Sequence, residues 1–394
     1  MSQQNPPSGG FLFFGDLAGR RMTLRVLLIG AGGVFGSRIA RGLAGDPRFR
    51  LILAGRHETR LMALREALGD RSVQTAMLDV DAPDLATTVA RSRPQLVIHA
   101  AGPFQTQDYR VAEACLACGS DYVDLADGRD FVCGIGRLDG QAKAAGRVLI
   151  SGASTVPAFS SAVVDALLPR FGVLEKIEHA ISPGNRAPRG DATVAAILGY
   201  CGRALPLWRD GRWQTGHGWM LSRRQAFPFG PRWVGLCDVP DLQLFPSRYA
   251  GVRTVLFRAG LELKRLHFGT LAAAWLVRLG LIGDLARHAA RLRRISEWFL
   301  AAGSDAGGMV VELTGSDKHG QPLKLRWSLS AAAGDGPQIP ATPAVVLARK
   351  LADGQLFATG AMPCMGLFTL DEALAAFDGF AIETGLERMA GAWA

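Results

Sequence analysis

Glycines at 30, 32, 33 and 36 follow directly on the apolar run Val26-Leu27-Leu28-Ile29. Glycine lets a backbone turn tightly and approach a diphosphate, whose charge the amides of a following helix can hold. Val34, Phe35 and Gly36 would supply that helix start. Phe35 stands where a Gly-x-Gly-x-x-Gly pattern needs a small residue, and the glycines fit Gly30-x-x-Gly33-x-x-Gly36 instead. With a strand pattern before it and a helix pattern after it, the turn predicts a dinucleotide site. Arg56 and His57 end the next apolar run, with Arg60 one turn on. No acid stands there to accept from a ribose 2′-hydroxyl, whereas Arg56 can clamp a 2′-phosphate, so the expected cofactor is NADP.

Further residues stand at the ends of later apolar runs. Asp79, beside Val80, can accept from an adenine amino group or cap the next helix. Ala100-Ala101-Gly102-Pro103 is small enough for close approach of the cofactor, and Ser154 can reach its carboxamide. His99 reads as a core histidine. Tyr122, Asp124 and Asp127 cluster where a substrate would meet the cofactor. They are the candidate catalytic groups, with helix capping and loop hydrogen bonds as the competing reading. Arg186, Arg189 and Thr193 surround a later helix start and are candidate substrate-anion ligands.

These residues need a sheet to align them. Strand patterns at 26–29, 50–55, 73–79, 96–102, 121–125 and 147–152 alternate with helix patterns, which predicts a parallel sheet with ligands at its carboxyl edge. The fold class is α/β: a Rossmann-type domain over 23–160 with an inserted α+β substrate or dimerisation domain over 161–338. In the latter, Lys176–Ile181, Met309–Thr314 and Leu323–Leu329 alternate charged and apolar residues, as an antiparallel sheet with one wet face does. Residues 253–300 read as an arginine-rich helical insertion, either a solvated subdomain or a flap facing a membrane or an apolar substrate. Residues 339–394 are expected to return to the first domain as helices. Residues 1–22 read as a disordered tail, and Met22 is a possible natural start.

The chain has 394 residues and a formal charge of +9, yet its arginines are scattered and match no nucleic-acid motif. A small-molecule substrate and no nucleic acid is therefore the expectation. Six cysteines are too few for a disulfide scaffold, and Cys115-x-x-Cys118 lacks the second pair a metal site needs. No metal is expected, and the thiols suit a cytoplasmic protein. No run reaches the roughly 18 apolar residues of a membrane span.

With the Gly30 turn, Ala54-Gly55-Arg56, Asp79, Ala100–Phe104, Asp121–Asp124 and Gly152–Pro157 in order, the chain resembles the saccharopine dehydrogenase-like family. The likeness is to its NADP-dependent reductase branch and bacterial relatives, over residues 24–160. It implies an oxidoreductase, hydride transfer at a C=N bond of an amino-acid conjugate, and a homodimer. Two departures matter: the second half is rich in aromatic residues, and it carries the basic insertion. Both look more like family members linked to lipids, such as the trans-acting enoyl reductases, which reduce C=C bonds. A non-catalytic, lipid-associated NADP-binding protein is the reading from another class.

Overall fold

The computed structural model describes residues 23–389 except 357. The tail expected over 1–22 and the Met22 start lie outside these residues. Strands β1 (Leu24–Ile29), β2 (Phe49–Gly55), β3 (Gln74–Met77), β4 (Leu96–His99), β5 (Asp121–Asp124) and β6 (Val148–Ser151) alternate with helices. The helices are α1 (Val34–Leu43), α2 (Glu58–Leu68), α3 (Leu85–Ser92), α4 (Arg110–Ala117), α5 (Arg129–Gly134) and α6 (Asp139–Ala145). All six strands pair in parallel, in the order β6-β5-β4-β1-β2-β3. Helices cover both faces, which is why Val26–Ile29 and Leu96–His99 are buried along their whole length.

Helix α7 (Ser160–Leu167) leads into the second sheet. That sheet holds β7 (Val173–Ser182), β8 (Ala204–Arg209), β9 (Arg212–His217), β10 (Arg223–Gln225), β11 (Arg232–Leu236), β12 (Thr254–Ala259), β13 (Gly307–Ser316) and β14 (Pro322–Ala331). Helices α8 (Asp191–Tyr200), α9 (Asp241–Arg248), α10 (Lys264–Arg278) and α11 (Ala289–Glu297) interrupt it. The expected pairing of β7, β13 and β14 is present, with β13 in the middle. The sheet is mixed rather than antiparallel, because β12 runs parallel to β7. Thr254–Ala259, expected in the helical insertion, is this strand. All six of its residues are buried between β7 and β11, and the insertion proper starts at Lys264.

The chain then returns to the first sheet. Helix α12 (Gln338–Ala352) packs on α1, where Arg349 donates to the Gly42 carbonyl at 3.0 Å. Pro337 precedes its first residue and Pro340 falls in its first turn, where a backbone N–H is not needed, and the helix runs on through Pro343. Strand β15 (Gly360–Pro363) extends the parallel sheet beside β6, followed by the short α13 (Leu370–Ala375). The last strand, β16 (Ile382–Arg388), departs from the expected return and pairs with β14 in the second sheet. A buried polar junction ties the layers: Asp241 of α9 accepts from Ser160 of α7 at 2.9 Å and lies 3.0 Å from His179 Nε2 of β7.

Candidate functional site

Strand register sets the site. Ile29 lies opposite Ala54 and His99, His99 opposite Asp124, and Val123 opposite Ile150. The segments beginning at Gly30, Arg56, Ala100, Leu125 and Gly152 therefore leave the sheet along one carboxyl edge, where open α/β sheets bind ligands.

The glycines of the first turn do different jobs. Gly30 has φ +81°, and a Cβ there would meet the Ala101 nitrogen at 2.8 Å. A Cβ on Gly36 would come 2.2 Å from the Gly30 carbonyl oxygen, so this glycine lets α1 sit tight against β1. Gly33 is exposed, and its added Cβ would meet only the Gly30 oxygen, at 3.1 Å. The first backbone bond of α1 is Ser37 N–H to Gly33 O, at 3.1 Å. The amides of Val34, Phe35 and Gly36 thus open the helix without a backbone acceptor, and no acid stands in its first turn. That cradle suits a diphosphate.

At the end of β2, Arg56 and His57 are exposed, and neither has a carboxylate partner among the described residues. A Cβ on Gly32 would lie 3.1 Å from Arg60 Cβ, so the base of α2 presses against the glycine turn. Arg56 and Arg60 together offer unpaired guanidinium groups beside it. Asp79 accepts from the Asp81 amide at 3.2 Å, closing its own turn before Ala82, with Val80 half-buried inside it. Gln107 pins the 100–103 loop by donating to the Ala101 and Pro103 carbonyls at 2.7 and 3.1 Å. Ser154 is buried and begins the turn into α7.

The three catalytic candidates separate. Tyr122 is fully buried, its hydroxyl 3.1 Å from Nδ1 of His99. Burial pushes the tyrosine up and holds the His99 imidazole at about 4, so the ring is neutral at pH 7. Asp124 is also fully buried; one of its oxygens accepts from the Ala126 and Gly152 amides and the Ser151 hydroxyl, at 2.9, 2.8 and 3.0 Å. Burial outweighs these bonds and lifts its carboxyl to about 6. Its contacts fix the end of β5 to the end of β6, which is a positioning task. Only Asp127 is reached by water, and Gln105 donates to its Oδ1 at 2.9 Å. Desolvation by the surrounding protein still raises its carboxyl pKa, and the bond from Gln105 draws it back only in part.

Across from Asp127 stand residues that the sequence did not single out. The Tyr200 hydroxyl accepts from the Cys237 thiol at 2.8 Å, and both groups are pushed up by burial, with Asp127 adding to the effect. Arg129, buried at the start of α5, donates to the Pro206 carbonyl at 2.9 Å and pairs with Asp238. The cleft between the sheets is thus walled by 105–129 on one side and 200–238 on the other. No local motif marks Tyr200 or Cys237, because only the tertiary fold brings them to Asp127.

Arg186 and Arg189 do not open toward this cleft. Arg186 donates to the Leu300 and Ala301 carbonyls, both at 3.4 Å, and Arg189 to the Ser296 hydroxyl at 3.2 Å. Arg186 thus rests on carbonyls of the short turn that follows α11, and Arg189 on a side-chain hydroxyl in the last turn of α11, rather than forming an open anion site. Thr193 lies half-buried in the first turn of α8. Cys115 is buried inside α4, and Cys118, just past its end, donates to the Cys115 carbonyl.

Residues 26–150 match the saccharopine dehydrogenase NADP binding domain family. The N-terminal domain belongs to that family. NADP is accordingly the cofactor of this saccharopine dehydrogenase-type domain, and the unbonded amides and unpaired arginines described above fit it. A candidate trans-acting enoyl reductase of Mycobacterium tuberculosis is 38% identical over 104 residues, which is 25% of this chain and 24% of that protein. A trans-acting enoyl reductase of Mycobacterium ulcerans is 33% identical over 102 residues, again 25% of this chain and 24% of that protein. The matched stretch is thus about a quarter of the length of these curated relatives. A solved saccharopine dehydrogenase (L-Glu forming) from Saccharomyces cerevisiae is similar with a TM-score of 0.67 at 12% identity, over 93% of this chain and 100% of that one. That likeness is one of fold. It extends beyond the saccharopine dehydrogenase-type domain into the second sheet.

Proposed function

We propose that this chain is an NADPH-dependent oxidoreductase that reduces a polarised C=C bond of an enoyl-type substrate in the cleft at Asp127. Bound NADPH supplies the hydride. The amides of Val34 to Gly36 hold the diphosphate, and Arg56 with Arg60 holds the 2′-phosphate. Gln105 occupies Oδ1 of Asp127, which leaves Oδ2 to carry a proton. The raised carboxyl pKa keeps that proton available closer to neutral pH than an ordinary aspartate would. Tyr200 accepts from Cys237, so its own hydroxyl hydrogen is free to orient a substrate carbonyl. Among the described residues, Asp127 has no salt-bridge partner.

The observation that carries this reading is the charge of the cleft. Arg186 and Arg189 hold carbonyl and hydroxyl groups of the 296–301 segment, and Arg129 is occupied by Asp238 and Pro206. An amino-acid conjugate with several carboxylates needs guanidinium partners, whereas an enoyl thioester does not. The names of the partial relatives support the same side.

The test is NADPH oxidation against a panel of enoyl thioesters and of preformed imines from 2-oxo acids and amines. Turnover with enoyl thioesters alone is expected. Turnover confined to imines overturns the C=C assignment. Tight NADPH binding without turnover of either class overturns catalysis and leaves an NADP-binding protein. The same reading takes the protein as a homodimer, which light scattering measures directly.

A further inference from the structure

Helix α10 reverses the usual arrangement of a surface helix. Its buried side is narrow: His267 and Ala274 are fully enclosed, Trp219 donates to the His267 carbonyl at 3.1 Å, and Gly202 closes on the Ala274 carbonyl. Phe268, Ala272, Trp275 and Leu279 recur at helical spacing on the other side, in the water. Trp275 is 47% exposed and Leu279 65%, and Leu281, in the turn that follows, is 70% exposed. A helix that only covers a sheet would carry polar residues at these positions. A contiguous apolar strip on a water-facing helix marks an interaction surface.

Charge identifies the occupant. Residues 264–300 hold seven Lys/Arg and two Asp/Glu, a net +5 within a chain of +9. Arg293 pairs with Asp191 and Glu297, and Asp284 with Arg203. Lys264, Arg265, Arg278, Arg287, Arg291 and Arg294 have no carboxylate partner among the described residues. Arg278 lies over the Trp275 ring, 5.1 Å from its centroid, so its charge sits at the margin of the strip. Exposed tryptophan and leucine rimmed by unpaired arginine is the composition that lies in the headgroup layer of an anionic bilayer. A second copy of this chain would bring the same excess of positive charge to the contact.

We propose that α10 and the turn through Leu281 form a peripheral docking surface for an anionic lipid bilayer. Trp275, Leu279 and Leu281 insert, while Arg265 and Arg278 meet the lipid phosphates. This surface is separate from the cleft reading and does not depend on it.

The test is flotation of the full chain with vesicles of pure phosphatidylcholine and with vesicles containing phosphatidylglycerol, at low and high salt. Binding to the anionic vesicles, at least tenfold above the neutral ones and weakened by salt, is expected. Trp275→Ala with Leu279→Ser should abolish it, and Arg265→Gln with Arg278→Gln should reduce it severalfold. NADPH affinity, read without vesicles, should stay unchanged in both variants and so report that they are folded. Absence of flotation, or equal binding to both vesicle types, overturns the proposal. So does self-association in light scattering that Trp275→Ala with Leu279→Ser removes while flotation persists, since a second copy then covers the strip.

Discussion

Arg129 of α5 and Asp238, just beyond β11, form an ion pair across the boundary between the parallel and the mixed sheet. Arg129 is buried, and its bond to the Pro206 carbonyl makes the same crossing a second time. Burial raises the Asp238 carboxyl while Arg129 draws it back down, so the two groups depend on each other for charge compensation. Asp238→Ala leaves a buried guanidinium without its carboxylate and should cost about 3 kcal/mol. Denaturant unfolding of Asp238→Ala, Arg129→Met and the double variant checks it. A double variant as unstable as the sum of the singles would show that the pair is not coupled.

The 2′-phosphate assignment rests on Arg56 and Arg60. Replacing Arg56 by Ala should weaken NADPH binding roughly 10- to 100-fold, the range of a charge-assisted bidentate contact, and NADH binding by less than threefold. Arg60→Ala should act in the same direction, with a smaller effect. Fluorescence titration with both nucleotides measures it, and equal losses for the two would refute the clamp.

Gly33 and Gly36 should separate binding from folding. Gly36→Ala drives a methyl group into the Gly30 carbonyl, 2.2 Å away, so α1 must move and stability should fall by about 2–3 kcal/mol. Gly33→Ala meets only a 3.1 Å contact and should fold nearly normally while losing NADPH affinity. A Gly33→Ala protein that binds NADPH as the parent does would remove this glycine from the cofactor cradle.

Asp124 makes a signed prediction about pH. Its carboxyl lies near 6 in the folded chain against an ordinary value of 3.8. Between these values the folded state holds a proton that the unfolded state has released. The contribution is fully present below about pH 4 and is lost as pH rises through 6, on the order of 3 kcal/mol. Asp124→Asn removes this slope, so the variant should gain on the parent from pH 4 to 7. Parallel stability curves would contradict the assignment.

Asp127 carries the proton in the proposed reaction. Asp127→Asn should lower kcat by about 10²- to 10⁴-fold and leave NADPH affinity unchanged. The alkaline limb of the parent kcat profile should disappear with it. A variant with full activity would send the search for the donor to Tyr200.

Most of the first sheet is legible in the sequence because its inner strands, such as β1 and β4, are short, doubly buried apolar runs closed by a turn residue; the edge strands β3 and β15 lack that signature. The register that lines up Gly30, Arg56, Ala100 and Asp127 follows from it. Residues 254–259 are harder to read, since a fully buried strand has no alternation and sits next to helix-forming arginine-rich sequence. Tyr122, Asp124 and Asp127 look equivalent as letters. They differ only in depth, which period-two strand patterning cannot resolve for the last residues of a strand. Arg186 and Arg189 resemble an anion site until the 296–301 segment, a hundred residues later, presents two carbonyls to the first and a serine hydroxyl to the second.

The two outermost strands near the end of the described chain have a consequence for biosynthesis. Strand β15 completes one edge of the parallel sheet and β16 one edge of the mixed sheet, so neither sheet closes until residues 360–388 exist. Everything these strands pair with is already synthesised by then. A nascent chain halted before residue 360 presents two unpaired strand edges at once, β6 and β14, and needs shielding from its neighbours in that interval.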